Sequence, residues 1–303
     1  MSAPRRGTVL TIGTFDGVHV GHRVILRKAV SLARKAGLSS LALTFARPPR
    51  LYFSPQKGPL LITLPEEKAE LLRSIGVDRV EFLAFGKKLA ALSPEDFFKE
   101  HLLRRYGARQ VVVGFNFGFG RRRAGHLGLL KQLGASHGVP VHIVPQVSLG
   151  GRRVSSGKIR RDLWRGELAA ANRKLGYPYF LSGQVVRGDR LGRRLGFPTA
   201  NVRVPDEKLV PPGVFAVRVV LPNGTEKPGM CNVGFRPTLG RRAPRLSIEA
   251  HVLDFRGNLR GKKIKVVFVK KIRSEKAFPT LEKLAARLRI DAAVARRILR
   301  RSA

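Results

Sequence analysis

The segment GTFDGVHVGH, residues 13–22, places two histidines between an apolar run and a helical pattern. The run TVLTIGTF predicts a buried strand, and the spacing after it predicts an amphipathic helix that ends at Gly37. A glycine-rich turn lets backbone N–H groups approach an anion, and a helix N-terminus favours negative charge. His19 and His22 are therefore expected to face one phosphate and to stabilise charge that develops on it during a reaction.

Metal binding is the alternative for the same two histidines. Two imidazoles and one nearby carboxylate, Asp16, are few ligands for zinc. The segment therefore favours phosphate chemistry. Asp16 is expected either to support the loop or to hold a magnesium ion.

The segment VSSGKIR, residues 154–160, offers a second set of phosphate-binding groups. Ser155 and Ser156 supply two hydroxyls beside a predicted helix start, and Arg160 supplies a cation one turn later. Such a set suits a triphosphate. By itself it is equally typical of an ordinary serine N-cap.

Two later segments carry oxygen ligands and a carboxylate. In GFPTAN, residues 196–201, Pro198 stiffens a turn, Thr199 offers a hydroxyl and Asn201 an amide. A few oxygen ligands, completed by phosphates, are how magnesium is commonly bound, although a capped turn has the same composition. Glu249, in the alternating segment SIEAHVLDF, is a candidate general base or a solvated strand residue.

The elements that must position these groups change character along the chain. Up to about residue 180, five apolar runs alternate with helical patterns, which predicts an α/β domain with a mostly parallel sheet. Beyond it, short β-rich segments broken by Gly and Pro predict a small antiparallel barrel or sandwich, followed by a C-terminal helix. We therefore predict two domains, residues 1–180 and 181–303.

Composition limits the classes of function. The 303 residues include 59 Lys and Arg against 20 Asp and Glu, a net charge of +39 that is spread over both halves of the chain. This charge favours anionic small molecules such as nucleotides, but no aromatic-interleaved basic motif predicts specific nucleic-acid binding. The sequence contains one cysteine, Cys231, and no apolar run of spanning length or evident signal peptide. We expect a cytoplasmic protein without membrane partners; the oligomeric state is not predicted.

Eight segments together resemble one known family. They are LTIGTFDGVHVGH, VVVGFNFGFG, VSSGKIR, GRRLGFPTANV, PPGVFAV, NVGFRPT, IEAHVLDFRGNLRGK and IRSEKAF, and they run in order through nearly the whole chain. The first resembles the H-x-G-H signature of the nucleotidylyl-transferase superfamily. The full set resembles the bacterial bifunctional riboflavin kinase/FAD synthetases, which implies a Rossmann-like nucleotidylyl-transferase domain followed by a riboflavin kinase barrel.

For the N-terminal domain, the resemblance implies transfer of AMP from ATP to FMN, giving FAD and pyrophosphate. His19 and His22 would be catalytic, and the nucleotide-binding residues would be Gly13, Phe15, Asp16, Asn116, Ser155, Ser156 and Arg160. Gly157 stands where many members have Thr or Ser, and Pro48 stands at the histidine of the F-x-P-H-P segment. A kinase with a weak adenylyltransferase module is therefore the alternative.

For the C-terminal domain, the resemblance implies phosphorylation of riboflavin to FMN by Mg²⁺–ATP. Glu249 would activate the ribityl 5′-hydroxyl, Thr199 and Asn201 would bind the metal, and the remaining ligand-binding residues would be Gly188, Gly192, Pro198 and Arg273. Arg260 replaces the tyrosine of the L-Y-G-K segment, which is expected to alter local packing. The high positive charge also leaves a different class of function as an alternative: a basic protein with the same fold that binds polyanions.

Overall fold

A computed structural model describes residues 7–53, 60–188, 191–236 and 245–300. These residues form two compact units. The first contains the described residues of 7–53 and 61–156, and the second contains Leu60 and the described residues from 157 onward. The functional boundary near residue 180 stays a prediction, since the compact units already change at residue 157.

A five-stranded parallel sheet is the centre of the first unit. Its strands are β1 (Thr8–Ile12), β2 (Ser39–Thr44), β3 (Arg79–Phe82), β4 (Ala108–Gly114) and β5 (Val141–Val144), in the order β3-β2-β1-β4-β5. Every residue of β1 is buried, as expected for a central parallel strand. The predicted parallel sheet is confirmed. A short hairpin, β6 (Ser148–Leu149) and β7 (Arg152–Arg153), follows it.

The connections between these strands are largely helical. They include α1 (Val20–Lys35), α2 (Arg50–Phe53), α3 (Pro65–Ser74), α4 (Lys87–Ala91), α5 (Pro94–Asp96), a π-helix (Phe97–Arg105), a 3₁₀ turn (Arg121–Arg123) and α6 (Leu127–Ser136). Ser93 is the N-cap of α5, because its Oγ accepts a hydrogen bond from the Asp96 N–H at 3.0 Å. Apolar residues from these helices cover the sheet and form its core.

The second unit contains a closed barrel. After α7 (Ser156–Trp164) and α8 (Leu168–Leu175) come β8 (Phe180–Val186), α9 (Leu191–Arg194), β9 (Ala200–Arg203), β10 (Gly213–Val220), β11 (Glu226–Arg236), β12 (Arg245–Val252) and β13 (Lys263–Arg273). The strand order is β10-β11-β12-β9-β8-β13, with antiparallel pairing throughout. The structure thus selects the barrel over the sandwich. It also extends strand β9 through Asn201, where the local sequence is typical of a capped turn.

Helix α10 (Leu281–Arg300) packs its apolar face on the barrel. Ala292, Ala295 and Leu299 are buried with Met230 and Leu253. Among the described residues, no helix has the length and apolar character needed to cross a membrane.

Candidate active sites

The loop between β1 and α1 carries the two histidines and is held in a strained conformation. Phe15 and Val18 have φ values of 44° and 34°, a region that non-glycine residues rarely occupy. Asp16 is buried, and its Oδ1 accepts hydrogen bonds from the backbone N–H groups of Ile62 at 3.0 Å and Thr63 at 3.1 Å. Of the two roles predicted for Asp16, these contacts favour support of the loop over magnesium binding.

His19 and His22 form a stacked pair at the start of α1. Their ring centroids lie 3.6 Å apart with 16° between the planes, and the His19 Nδ1 accepts a hydrogen bond from the His22 N–H at 3.3 Å. His19 is thus the N-cap of the helix. The edge of Phe15 lies against His22 with centroids 5.3 Å apart, and Gly13 leaves room for the Phe15 ring. Phe15 and Gly13 therefore shape the histidine pair.

Burial keeps both imidazoles uncharged. It lowers the pKa of His19 to about 4, although the hydrogen bond to its backbone and the Asp16 carboxylate act in the opposite direction. Burial, followed by the effects of His19 and Lys68, lowers the pKa of His22 well below its usual range. Because the His19 Nδ1 accepts a hydrogen bond, the neutral ring carries its proton on Nε2. The pair consists of neutral hydrogen-bond donors at neutral pH.

A cavity of about 230 Å³ opens beside this pair. Its lining includes five residues that the sequence singled out: His19, His22, Asn116, Ser155 and Ser156. Phe15, Asp16 and Gly13 are not among the residues that line it, and they lie in the supporting loop. The Ser156 Oγ donates to the Asp16 carbonyl oxygen at 2.9 Å, so one predicted phosphate ligand also holds the loop.

Arg153 also lines this cavity, and sequence reasoning missed it. It is the only Arg or Lys among the described residues around the cavity, and its guanidinium lies 5.0 Å from the centre of the Phe115 ring. Its position directly before VSSGKIR was the available signal. The predicted cation, Arg160, belongs to the second unit, where its Nε donates to the Leu60 carbonyl oxygen at 2.7 Å. The phosphate contact of Arg160 stays a prediction.

In the second unit, the barrel places Glu249 opposite two amides. Asn201 on β9 and Glu249 on β12 are direct partners across the sheet, and Asn232 on β11 is the partner of Glu249 on its other side. Directly opposed residues of antiparallel strands project from the same face. The Ser247 Oγ also donates to the Glu249 Oε1 at 3.0 Å. Asn232 was missed, because only the strand register brings it to this face.

The GFPTAN turn is fixed by backbone hydrogen bonds and by His251. The His251 Nδ1 lies 2.8 Å from the Pro198 carbonyl oxygen, and the Phe197 N–H donates to the Gly192 carbonyl oxygen at 2.7 Å. A Cβ atom added at Gly188 would collide with the Asn201 side-chain amide, so a larger residue there would displace Asn201. The predicted glycines thus act by letting the backbone approach Thr199 and Asn201.

Two cavities meet at this turn. The larger, about 660 Å³, is lined by four arginines and no acidic residue among the described ones: Arg187, Arg193, Arg256 and Arg260. The smaller, about 360 Å³, is lined by apolar side chains such as Phe197 and Met230 together with Glu249, Asn232 and Arg273. Thr199 and Asn201 line both cavities. A hydroxyl and an amide oxygen beside an arginine-rich cavity fit a magnesium ion that also binds phosphates.

Arg273 is held by the C-terminal helix. Its Nε and Nη2 donate to the Asp291 Oδ2 at 2.9 and 2.8 Å, and Arg287 binds the other carboxylate oxygen at 3.0 Å. Asp291 is completely buried. Arg273 was predicted to lie near phosphate or flavin, and it does line the smaller cavity, but its charge is compensated by this buried carboxylate.

Two compact units, each with its own cavity lined by polar groups, define a two-domain transferase. The family model described as FAD synthetase matches residues 1–158, and the one described as riboflavin kinase matches residues 175–299. The chain therefore belongs to the family of bifunctional riboflavin kinase/FMN adenylyltransferases. This confirms the predicted family, the predicted enzyme class and the two-domain fold.

Two individual relatives carry the description of this family, and one solved structure shares the fold. The bifunctional riboflavin kinase/FMN adenylyltransferase of Escherichia coli strain K12 is 38% identical over 294 residues, which are 97% of this chain and 93% of that protein. Its counterpart in Pseudomonas fluorescens is 38% identical over 298 residues, 98% of this chain and 95% of that protein. A crystal structure described as a macrolide-efflux protein from Streptococcus pneumoniae superimposes with a TM-score of 0.86 at 29% identity, covering 98% and 95% of the two chains.

Proposed function

We propose that the barrel unit phosphorylates riboflavin and that the parallel-sheet unit adenylylates the resulting FMN, each with ATP and with the residue roles given below. One observation carries the proposal: Thr199 and Asn201 stand between an arginine-lined cavity and an apolar one, beside Glu249. That arrangement suits a phosphoryl donor on one side and a flavin on the other. Because both steps consume ATP, we infer that the protein acts in the cytoplasm.

In the kinase step, Glu249 accepts the proton of the ribityl 5′-hydroxyl. The hydroxyl oxygen forms a bond to the γ-phosphorus of ATP, and the bond from that phosphorus to the β,γ-bridging oxygen breaks, releasing ADP. Thr199 and Asn201 would hold the magnesium ion, which neutralises charge on the phosphates when bound. The arginines of the larger cavity bind the polyphosphate, and the apolar wall of the smaller cavity takes the flavin ring.

In the adenylyl-transfer step, a phosphate oxygen of FMN attacks the α-phosphorus of a second ATP. The bond between that phosphorus and the α,β-bridging oxygen breaks, and pyrophosphate leaves. The neutral histidine pair donates hydrogen bonds to oxygens of the α-phosphate as their charge grows. In this proposal Arg153, Ser155 and Ser156 bind the departing pyrophosphate, and Asn116 contacts the substrates; all four residues line the same cavity.

A two-step assay with separated variants tests these roles. Purified protein is given riboflavin and Mg²⁺–ATP, and flavins are resolved by chromatography. His22→Ala should abolish FAD but spare FMN, whereas Glu249→Ala should abolish FMN formation but still convert supplied FMN to FAD. A folded variant that loses both steps would contradict the division of labour, and absence of both products from the wild type would refute the proposal.

The same assay tests the alternative that the adenylyltransferase module is weak. At Gly157, one of the two departures from the family pattern behind this alternative, an added side chain would meet no protein atom, so packing does not require the glycine. Pyrophosphate release from supplied FMN and ATP, measured against the kinase rate, decides between an active and a weak module.

A further inference from the structure

A buried lysine lies beneath the loop of the first unit. Lys68, on α3, is only 1% exposed. Its Nζ donates hydrogen bonds to the Thr14 carbonyl oxygen at 2.9 Å and to the Phe45 carbonyl oxygen at 2.6 Å. A lysine is almost never fully buried without partners, because desolvating an ammonium is costly. Its burial here therefore calls for a role that an apolar residue would not fill.

The contact to Thr14 connects Lys68 to the histidine site. Thr14 lines the same cavity as His19 and His22, and its carbonyl also accepts a hydrogen bond from the Thr44 Oγ1 at 3.1 Å. Thr63, on the segment that leads into α3, holds the Asp16 carboxylate on the same loop. Thr63 and Lys68, which lie five residues apart in the chain, thus both bind the strained loop, one at the Asp16 carboxylate and the other at the Thr14 carbonyl.

The charge of Lys68 also bears on the histidines. Burial lowers the pKa of Lys68 to about 8, against the effect of the Asp16 carboxylate, so the ammonium persists at neutral pH. Its charge in turn contributes to the lowered pKa of His22, after burial and the effect of His19. The buried Glu67 lies next to Lys68 on the same helix, and its Oε2 accepts a hydrogen bond from the Leu64 N–H at 2.9 Å. Since both imidazoles are neutral, Lys68 is a fixed positive charge behind the loop.

We propose that Lys68 is a positioning residue of the adenylyl-transfer site, where its ammonium holds the Thr14 carbonyl and thereby the loop that carries the histidine pair. Its charge adds positive potential behind the phosphates that neutral imidazoles do not supply. This inference rests on the proposed adenylyl transfer in the first unit.

Lys68→Met and Thr44→Val form the matched pair of variants. Both remove a hydrogen bond to the same carbonyl oxygen, but only the first removes a charge. For Lys68→Met we expect kcat for FAD formation from supplied FMN to fall on the order of 100-fold, as for a displaced catalytic group. Riboflavin phosphorylation in the same sample should be unchanged. Thr44→Val should lose less activity.

Imidazole titration by NMR adds a readout that a merely structural role would not move. Lys68→Met should raise the pKa of His22, and Thr44→Val should leave it unchanged. In the wild type, the His22 ring signal, assigned with His22→Gln, should shift as pH rises through about 8, where Lys68 loses its proton. The wild-type titration keeps the test decisive even if Lys68→Met does not fold.

Two results would overturn the inference. One is a folded Lys68→Met variant with wild-type kcat and an unchanged His22 titration. The other is a wild-type His22 signal that stays constant as pH rises through and beyond that value. Either result leaves the proposed function standing, whereas a wild type that makes no FAD from FMN and ATP refutes the proposed function itself.

Discussion

Glu249 and Asn201 face each other across the β9–β12 pairing, and the same register places Asn232 on the opposite side of Glu249. The proposed base is therefore flanked by two amides in the cavity wall. Amides on both sides can orient a carboxylate without neutralising it. This relationship follows from strand register alone, and it makes Asn232 part of the site.

Replacing Asn232 by Ala should slow riboflavin phosphorylation. Asn232 lines the smaller cavity next to Glu249, so the variant removes a polar neighbour of the proposed base, and we expect kcat to fall about tenfold or more. Asn223→Ala is the control, because the Asn223 side chain accepts only a local hydrogen bond from Thr225 in an exposed turn. Steady-state kinase rates with saturating ATP make the comparison. Equal rates in the two variants would remove Asn232 from the site.

Replacing Gly188 by Ala should abolish or strongly reduce kinase activity while leaving FAD formation from FMN intact. The new Cβ would collide with the Asn201 side chain and displace a proposed metal ligand. Gly157→Ala, in the first turn of helix α7, adds the same methyl group in open space and should leave the rate of FMN formation unchanged. Rates of FMN formation by both variants are measured. Full kinase activity in Gly188→Ala would contradict the idea that Gly188 must lie close to the Asn201 side chain.

Replacing Asp291 by Asn should lower stability and weaken riboflavin binding. The change leaves Arg273 and Arg287 without their shared buried carboxylate, and breaking a buried pair costs about 3–5 kcal/mol. Arg273 lines the smaller cavity, where we propose that the flavin ring binds. We therefore expect KM for riboflavin to rise and KM for ATP to stay constant. Asp254→Asn, which removes an exposed pair with Arg296, is the control and should change neither. Thermal unfolding and KM values are compared.

Acid should destabilise the histidine loop of the first unit. The pKa of His19 is about 4 in the folded chain and about 6.5 when unfolded, so the unfolded chain binds more protons between these values. Stability therefore falls as pH decreases from 6.5 toward 4, by on the order of 3 kcal/mol from His19 alone. His19→Asn keeps an N-cap acceptor without this titration and should reduce the loss. Hydrogen exchange of the β1 amides at pH 7 and at about pH 5 measures this loss of stability. An equal loss in the variant would exclude His19 as the cause of the acid effect.

The sequence-based predictions were successful where the signal is local. Strand and helix periods gave the parallel sheet, and spacing alone put His19 and His22 at a helix start. The barrel closure, the strand at Asn201 and the amide pair around Glu249 depend on long-range register, which no local period contains. Lys68 lies 54 residues from Thr14 in the chain. Within EEKAELL it is typical of a solvated helix residue, so its burial could not be predicted.

The wall that Thr199 and Asn201 form between the two barrel cavities has a chemical consequence. A single compound that joins an isoalloxazine-like ring to a short anionic chain could occupy both sides of that wall at once. Such a bisubstrate inhibitor would gain from linking two weak ligands, since the second would associate at a high effective concentration.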